Sequence, residues 1–386
     1  MRRPTDAPIS IAIPAPAGQP PITVTRPTLP PFEEFVEVLR GVWARNHLTN
    51  AGPLVVELER QLAAYLGVRH ALFVSNGTIA LQLAFRALEL AGEVITTPFS
   101  YVATTSSLAW EGCTPVFADV EPDTLTLSAE RAEAAVTART SALVATHVYG
   151  NPCDIDGLAA VARRHRLRIV YDAAHAFGAR YAGRALAAHG DVATLSFHAT
   201  KLFHTVEGGA VVTDDDEIAR RVAYLRNFGH AGYEAFQGIG INGKNSELHA
   251  AMGLCLLPRV SEIVAERASI SRRYDAVLAP LGTRARRPRL REGTTYNYAY
   301  YPVLLPDERA VVAVKAHLEA NGVMARRYFY PSLSGGLPYV APGVVPVARD
   351  AAERVLCLPL YTGLSGAQVD RIAGLVAQGL ERLAPT

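Results

Sequence analysis

From His70 to Ala174, short apolar runs alternate with stretches whose apolar positions recur at helical spacing. The runs are "HALFVS", "EVITTP", "PVFADV", "ALVATHV" and "LRIVYDAA"; between them lie "TIALQLAFRAL", "YVATTSSLAW" and segments opening near Ser128 and Asp156. Such runs predict strands buried on both faces, and the helical spacing predicts amphipathic helices between them. The alternation therefore predicts an α/β fold of crossover units, with a mainly parallel sheet covered by helices on both sides. Ligands of such sheets sit beyond the carboxyl ends of the strands, so residues just after each strand carry the most weight.

Upstream, "PFEEFVEVLRGVW" has helical spacing, and a second helix is predicted over about Pro53 to Leu66, opened by proline and stopped by Gly67. Nine prolines fall within the first 31 residues and favour extended chain, so residues 1–31 read as a proline-rich arm. Downstream, "VATLSF" and "GAVVTDD" read as strands, followed by helices that include one from about Ser261 to Leu278. "YNYAYYPVLL", a helix near Glu308 to Ala320, "ARRYFYP" and a last helix opening at Ser365 with the capping box "SGAQ" read as α+β. The predicted organisation is a large domain over residues 32–260 and a smaller C-terminal α+β domain over 261–386.

At 386 residues the chain is long enough to enclose a sizeable site. Its 38 basic and 36 acidic side chains nearly cancel, which leaves no field to favour polyanions and argues against nucleic acid as a partner. Cys113, Cys153, Cys255 and Cys357 stand far apart without CxxC pairs, as expected of a reduced, cytoplasmic protein; no metal ligands are assigned. Arg2 and Arg3 are not followed by the apolar run of an export signal, and no segment approaches the ~20 apolar residues of a membrane span.

Four strand-end positions point to one chemistry. In "SNGT", Gly77 lets a ligand approach the backbone and Thr78 lies in a helix start that offers N–H groups to a phosphate. In "TPFSYVAT", Tyr101 is placed to stack on a flat heterocycle, or else to pack in the core. Asp172 ends an apolar strand, where a carboxylate needs a cation or strong donors such as a protonated ring nitrogen. His175 would reach the same ligand, or serve as a packing residue. Ser196 ends the next strand and Lys201 follows in an apolar setting that favours the neutral amine, a nucleophile toward carbonyls. A phosphate site, a ring cover, an aspartate for the ring nitrogen and a lysine for the aldehyde together describe a pyridoxal phosphate site.

At these residues the sequence resembles the DegT/DnrJ/EryC1/StrS family of sugar aminotransferases, of the aspartate aminotransferase fold type. The resemblance runs from about Pro27 to the C-terminus through "LTNAGPLVVELE", "SNGT", "DAAHAFGA", "SFHATK" with "EGGAVVT", "LRNFG", "GINGKNSELHAAMGL" and "ARRYFYP". It implies that Lys201 holds the cofactor as a Schiff base and then shuttles protons, and that Asp172 keeps the pyridine nitrogen protonated. It also implies that His175 lies near the phenolic oxygen, that Tyr101 covers the ring, and that Gly77, Thr78 and Ser196 bind the phosphate. Asn242 would contact the phosphate of a partner subunit, which implies a homodimer.

Asn245 stands where relatives often carry methionine, which puts a local packing or substrate contact in question. Dehydratases of the family carry histidine at the position of Lys201, so transamination is expected. His198 and Glu207 are similar to the branch that aminates C4 of a nucleotide-linked 4-keto-6-deoxyhexose; C3 amination or dehydration is the alternative. The implied donor is L-glutamate, the implied acceptor a dTDP sugar, and pyridoxamine phosphate the intermediate cofactor form. Sugar-nucleotide contacts are expected from His198, in preference to His204, and from Arg326 and Tyr328 with Arg327, although arginines solvated on an edge strand would look the same. A cofactor-sensing regulator would need a basic DNA-binding domain, and only the proline-rich arm precedes the first helix.

Overall fold

The computed structural model describes residues 20–382, so the proline-rich arm up to residue 19 lies outside the described residues. The first elements are a short strand, Ile22–Thr23 (β1), and two helices, Phe32–Arg45 (α1) and Pro53–Leu66 (α2). Pro53 opens α2, where a missing N–H loses nothing, and Gly67 closes it at φ 68°.

The alternating region folds as His70–Val74 (β2), Gly77–Ala87 (α3), Glu93–Thr96 (β3), Val102–Trp110 (α4), Thr114–Phe117 (β4), Ala129–Ala134 (α5), Thr140–Thr146 (β5), Ile155–His165 (α6) and Arg168–Asp172 (β6). A small hairpin, Arg180–Tyr181 (β7) and Arg184–Ala185 (β8), precedes Val192–Ser196 (β9) and Gly209–Thr213 (β10). Three helices follow: Asp216–Leu225 (α7), Glu247–Leu256 (α8) and Val260–Leu278 (α9). The remainder is Thr294–Thr295 (β11), Tyr301–Leu304 (β12), Glu308–Ala320 (α10), Val323–Met324 (β13), Pro346–Arg354 (α11), Val355–Leu358 (β14) and Gly366–Glu381 (α12). The last helix opens on the expected capping box, Ser365 with Gln368.

The central sheet has seven strands in the order β2-β10-β9-β6-β5-β3-β4. β10 runs antiparallel to both of its neighbours, and the other strand pairs are parallel. Along each strand, alternate residues enter two different cores. Phe73, Leu143 and Ala145 pack with Leu58 and Leu62 of α2, whereas Val74, Ala142 and Val144 pack with Leu81 and Phe85 of α3. Burial on both faces is why these strands read as unbroken apolar runs.

A separate C-terminal core gathers Val303, Val311, Leu318, Leu356, Ile372 and Val376. α9 joins the two, with Val260 and Ile263 in the first core and Ile270, Tyr274 and Leu278 in the second. Ile22 also enters this second core, because β1 pairs in parallel with β13. Pro20 and Pro21, which lack N–H donors, stand directly before this two-residue pairing. "ARRYFYP" forms no edge strand: Arg326 alone bridges to Cys357, and the following residues turn inward to bury Phe329. One helical stretch, Glu247–Ala285, is long and apolar enough to cross a membrane by length and composition. Half of its apolar window is buried within the molecule, where α8 and α9 pack as core helices.

Candidate active site

β6 and β9 lie side by side and in parallel, so their last residues, Asp172 and Ser196, emerge at the same edge of the sheet. α3 begins at the same edge. A Cβ on Gly77 would stand 2.8 Å from the Cβ of Ser196, so only glycine allows the helix start this close to the end of β9. Asn76 caps the helix by accepting the Ile79 N–H at 2.9 Å. The Gly77 and Thr78 N–H groups have no helical carbonyl four residues back and face outward with the positive end of the helix dipole. The second of the paired glycines after Lys201 answers to the same crowding: a Cβ on Gly209 would meet the Asn76 backbone at 2.6 Å.

Asp172 is buried, and its carboxylate is held at both oxygens. Oδ1 accepts the Ala174 N–H at 3.1 Å and Oδ2 accepts the Thr104 hydroxyl at 2.6 Å. Because Thr104 gives its proton to Asp172, Ser100 donates to Thr104 at 2.8 Å and Thr146 to Ser100 at 3.0 Å. Three buried hydroxyls thus form a directed chain onto the carboxylate. Burial raises the Asp172 pKa; Thr104, Ala174 and the charge of Lys201 oppose the rise.

Lys201 follows β9 in a loop closed by its own N–H to His198 O at 2.8 Å. Burial lowers its amine from 10.5 to about 8, against the pull of Asp172. Nζ lies 3.4 Å from the Tyr300 hydroxyl. His175 accepts the Tyr149 N–H at Nδ1, 3.1 Å away, which leaves its proton on Nε2. Its ring lies parallel to those of Tyr149 and Phe329, with centroids 6.4 and 5.6 Å away, and meets Tyr300 edge-on at 4.8 Å. Burial keeps His175 neutral, with its pKa well below the usual value.

Asp172, His175, Ser196 and Lys201 therefore come together, with Gly77 against Ser196. Tyr101, the residue before α4, is 61% exposed, so it does not pack in the core. Thr78 is exposed at the helix start. Asn242 stands apart on an exposed bridge to Asn227 and accepts from Lys244 Nζ at 2.8 Å.

The substrate candidates divide. His198 is exposed and its ring meets Thr200 Oγ1 at 2.7 Å and Glu207 at 3.6 Å. His204 is buried with both ring nitrogens occupied by backbone groups, Thr28 O and Val206 N–H, and is a packing residue. Arg326 is exposed, and Tyr328 stands edge-on to Tyr300 at 5.5 Å. Arg327 is not available to a ligand, since its guanidinium lies on Tyr330 and bonds Glu308 and two carbonyls. Asn245 holds two loops together, its amide donating to Val74 O and Glu207 O at 3.2 and 3.1 Å and so tying the "SNGT" turn to the "EGG" loop. Sequence reasoning missed Thr104, Tyr149 and Tyr300; the only trace of the last was the density of tyrosine in "YNYAYY".

The model of the DegT/DnrJ/EryC1/StrS aminotransferase family matches residues 32–377. The chain belongs to this family. The aminotransferase is similar to the dTDP-4-amino-4,6-dideoxy-D-glucose transaminase of Shigella dysenteriae, 39% identical over 372 residues covering 93% of this chain and 99% of that one. It is also similar to the Escherichia coli enzyme of the same name, 37% identical over 365 residues covering 92% and 98%. Its fold is similar to that of DesI, solved in the presence of its TDP-sugar product, with TM-score 0.89, 38% identity and coverage of 95% and 96%.

Pyridoxal phosphate is the cofactor of this aminotransferase family, and the cluster suits it. A buried carboxylate with no side-chain cation in hydrogen-bonding contact among the described residues matches a protonated ring nitrogen, a neutral-prone amine matches an aldehyde, and the α3 start cradled against Ser196 matches a phosphate.

Proposed function

We propose that the enzyme transfers an amino group from L-glutamate to C4 of a dTDP-linked 4-keto-6-deoxyhexose, giving a 4-amino-4,6-dideoxy sugar. The observation that carries this reading is the half-buried Lys201, whose amine is shifted toward its neutral form near Asp172, in a chain similar to transaminases named for that product. Pyridoxal phosphate, when bound, would supply the electron sink and the group that carries the nitrogen between the two substrates.

The chain's own groups do the rest. The Gly77 and Thr78 N–H groups with the Ser196 hydroxyl bind phosphate, and Asp172, oriented by Thr104 and Ala174, holds a proton on the ring nitrogen. Tyr101 and His175 flank the ring. Lys201 Nζ, once free and neutral, takes a proton from the donor carbon and passes it on. His198, Arg326 and Tyr328 serve the sugar nucleotide.

The reading includes a cytoplasmic homodimer in which Asn242 completes the partner's phosphate site. Exposed Phe228, Tyr233, Phe236, Ile239 and Ile241 around Asn242 support association. The four cysteines, all buried and unpaired, fit a reducing compartment.

The test is the visible spectrum of the holoenzyme. L-Glutamate should bleach the cofactor band and dTDP-4-keto-6-deoxyglucose restore it, with an amine at C4 by mass and NMR. Bleaching without recovery would discard the sugar, and an amine at C3 would discard the regiochemistry.

A further inference from the structure

Beside the Lys201 amine lies a hydroxyl that the proposed reaction has not used, Tyr300 Oη at 3.4 Å. Tyr300 is buried, and it reaches this place on a strap, residues 296–300, that is held at unusual cost. Tyr298 adopts φ 54°, a left-handed conformation that bulky side chains rarely take. Arg267 of α9 is buried beneath the strap and donates from Nε to Tyr298 O at 2.8 Å and from Nη2 to Ala299 O at 2.6 Å. A cation buried against carbonyls rather than a carboxylate is expensive, and burial brings this guanidinium down to about 10.

Asn297 adds three bonds, donating to His175 O at 2.8 Å and Phe177 O at 2.9 Å and accepting the Ala299 N–H at 3.1 Å. Tyr296 donates to Tyr149 O at 3.0 Å. The strap is thereby fastened to the same loop that carries His175. Local strain of this kind persists where the surrounding structure holds it in place, and it concentrates at functional sites. Here the strain, the buried charge and the anchoring bonds all converge on the position of one phenol against one amine.

We propose that Tyr300 is a further catalytic residue whose hydroxyl holds the free Lys201 amine in its reacting position, and that Arg267 is the positioning residue that aims it. The proposal rests on the reading of Lys201 given above and not on the identity of the sugar. The phenol donates to the lone pair of the neutral amine and accepts from the ammonium once the amine has taken a proton. A hydrogen bond to a charged group is worth more than one between neutral groups. Loss of the hydroxyl therefore costs the ammonium more, and Lys201 titrates at lower pH in Tyr300→Phe.

The experiment uses full-length protein and needs no sugar. One measurement is the rate at which apoprotein takes up pyridoxal phosphate across pH, trapped with borohydride; the other is the single-turnover rate of bound cofactor with L-glutamate. In Tyr300→Phe, which keeps the ring and its packing, the uptake midpoint falls by about half a pH unit or more and the single-turnover rate by about ten- to a hundredfold. Arg267→Lys falls between that variant and the wild type in both. Wild-type values in Tyr300→Phe overturn the proposal, and wild-type values in Arg267→Lys overturn the role of the arginine. Wild-type protein that takes up no pyridoxal phosphate overturns the Lys201 reading together with the proposal, whereas failure of the dTDP sugar leaves both measurements standing.

Discussion

Lys201 carries an amine whose ordinary pKa of 10.5 would keep it charged and unreactive at neutral pH. Burial favours the uncharged form and brings it to about 8, although Asp172 pulls the other way. The sign gives a pH dependence: the nucleophile is the neutral amine, so uptake of pyridoxal phosphate by apoprotein should rise with pH, reach half its plateau near 8 and level off above. A midpoint near the ordinary lysine value would mean that burial does not act on this group. Replacing Lys201 with Ala should lower turnover by at least about two to four orders of magnitude, with an unchanged circular dichroism spectrum and melting transition. Appreciable residual transamination in that variant would remove Lys201 from the reaction. Asp172 shows the complementary case. A carboxylate alone at that depth would become neutral, and it is the Thr104 hydroxyl and the Ala174 N–H that work to keep it ionised.

At the scale of elements, the site exists because β6, β9 and α3 all present their functional ends at one edge of the sheet. Gly77 is the tightest joint. Gly77→Ala would set a Cβ 2.8 Å from that of Ser196, and neither atom is the far end of a flexible chain, so α3 must back away. The expected cost is about 1–3 kcal/mol of stability, read as a lowered denaturant midpoint. Pyridoxal phosphate affinity, measured by titration of the apoprotein, should fall with it if the helix start carries the phosphate donors as proposed. Unchanged affinity would show that α3 does not bind the phosphate. The elements themselves were largely legible, since strands buried on both faces and amphipathic helices leave periodic signals in the chain. "ARRYFYP" was legible only as adjacent arginines that either contact a ligand or lie solvated on an edge strand, and Arg327 does neither, because its guanidinium bonds Glu308 while Phe329 packs in the aromatic cluster around His175.

At the scale of the molecule, the proposed homodimer makes a prediction that no single chain could satisfy. Lys201→Ala lacks the amine and Asn242→Ala lacks the contact offered to the partner, so each variant alone should be poorly active. Mixed and refolded together, they should recover activity, because one site of each hybrid has both its own Lys201 and the partner's intact asparagine. Sedimentation should give twice the chain mass throughout. Mixtures no more active than their components would place Asn242 outside the partner's site.

The alternation of strands and helices is written in the linear chain, as is the position of Gly77, Asp172, Ser196 and Lys201 at strand ends or helix starts, and through them the class of chemistry. Those features are local: burial and periodicity are carried by neighbouring residues, and a carboxylate or lysine in apolar company is conspicuous in a linear reading. Which groups stand beside them was settled by folding. Thr104 reaches Asp172 across 68 residues and Tyr300 reaches Lys201 across 99, and neither partner has a neighbour that marks its role. The insertion of β10 between β2 and β9, the joining of β1 to β13 and the burial of Arg267 under the Tyr300 strap are likewise contacts between distant segments. Such contacts form only when the whole core is assembled, because the entropy lost in closing long loops is offset by packing that no short stretch of chain provides.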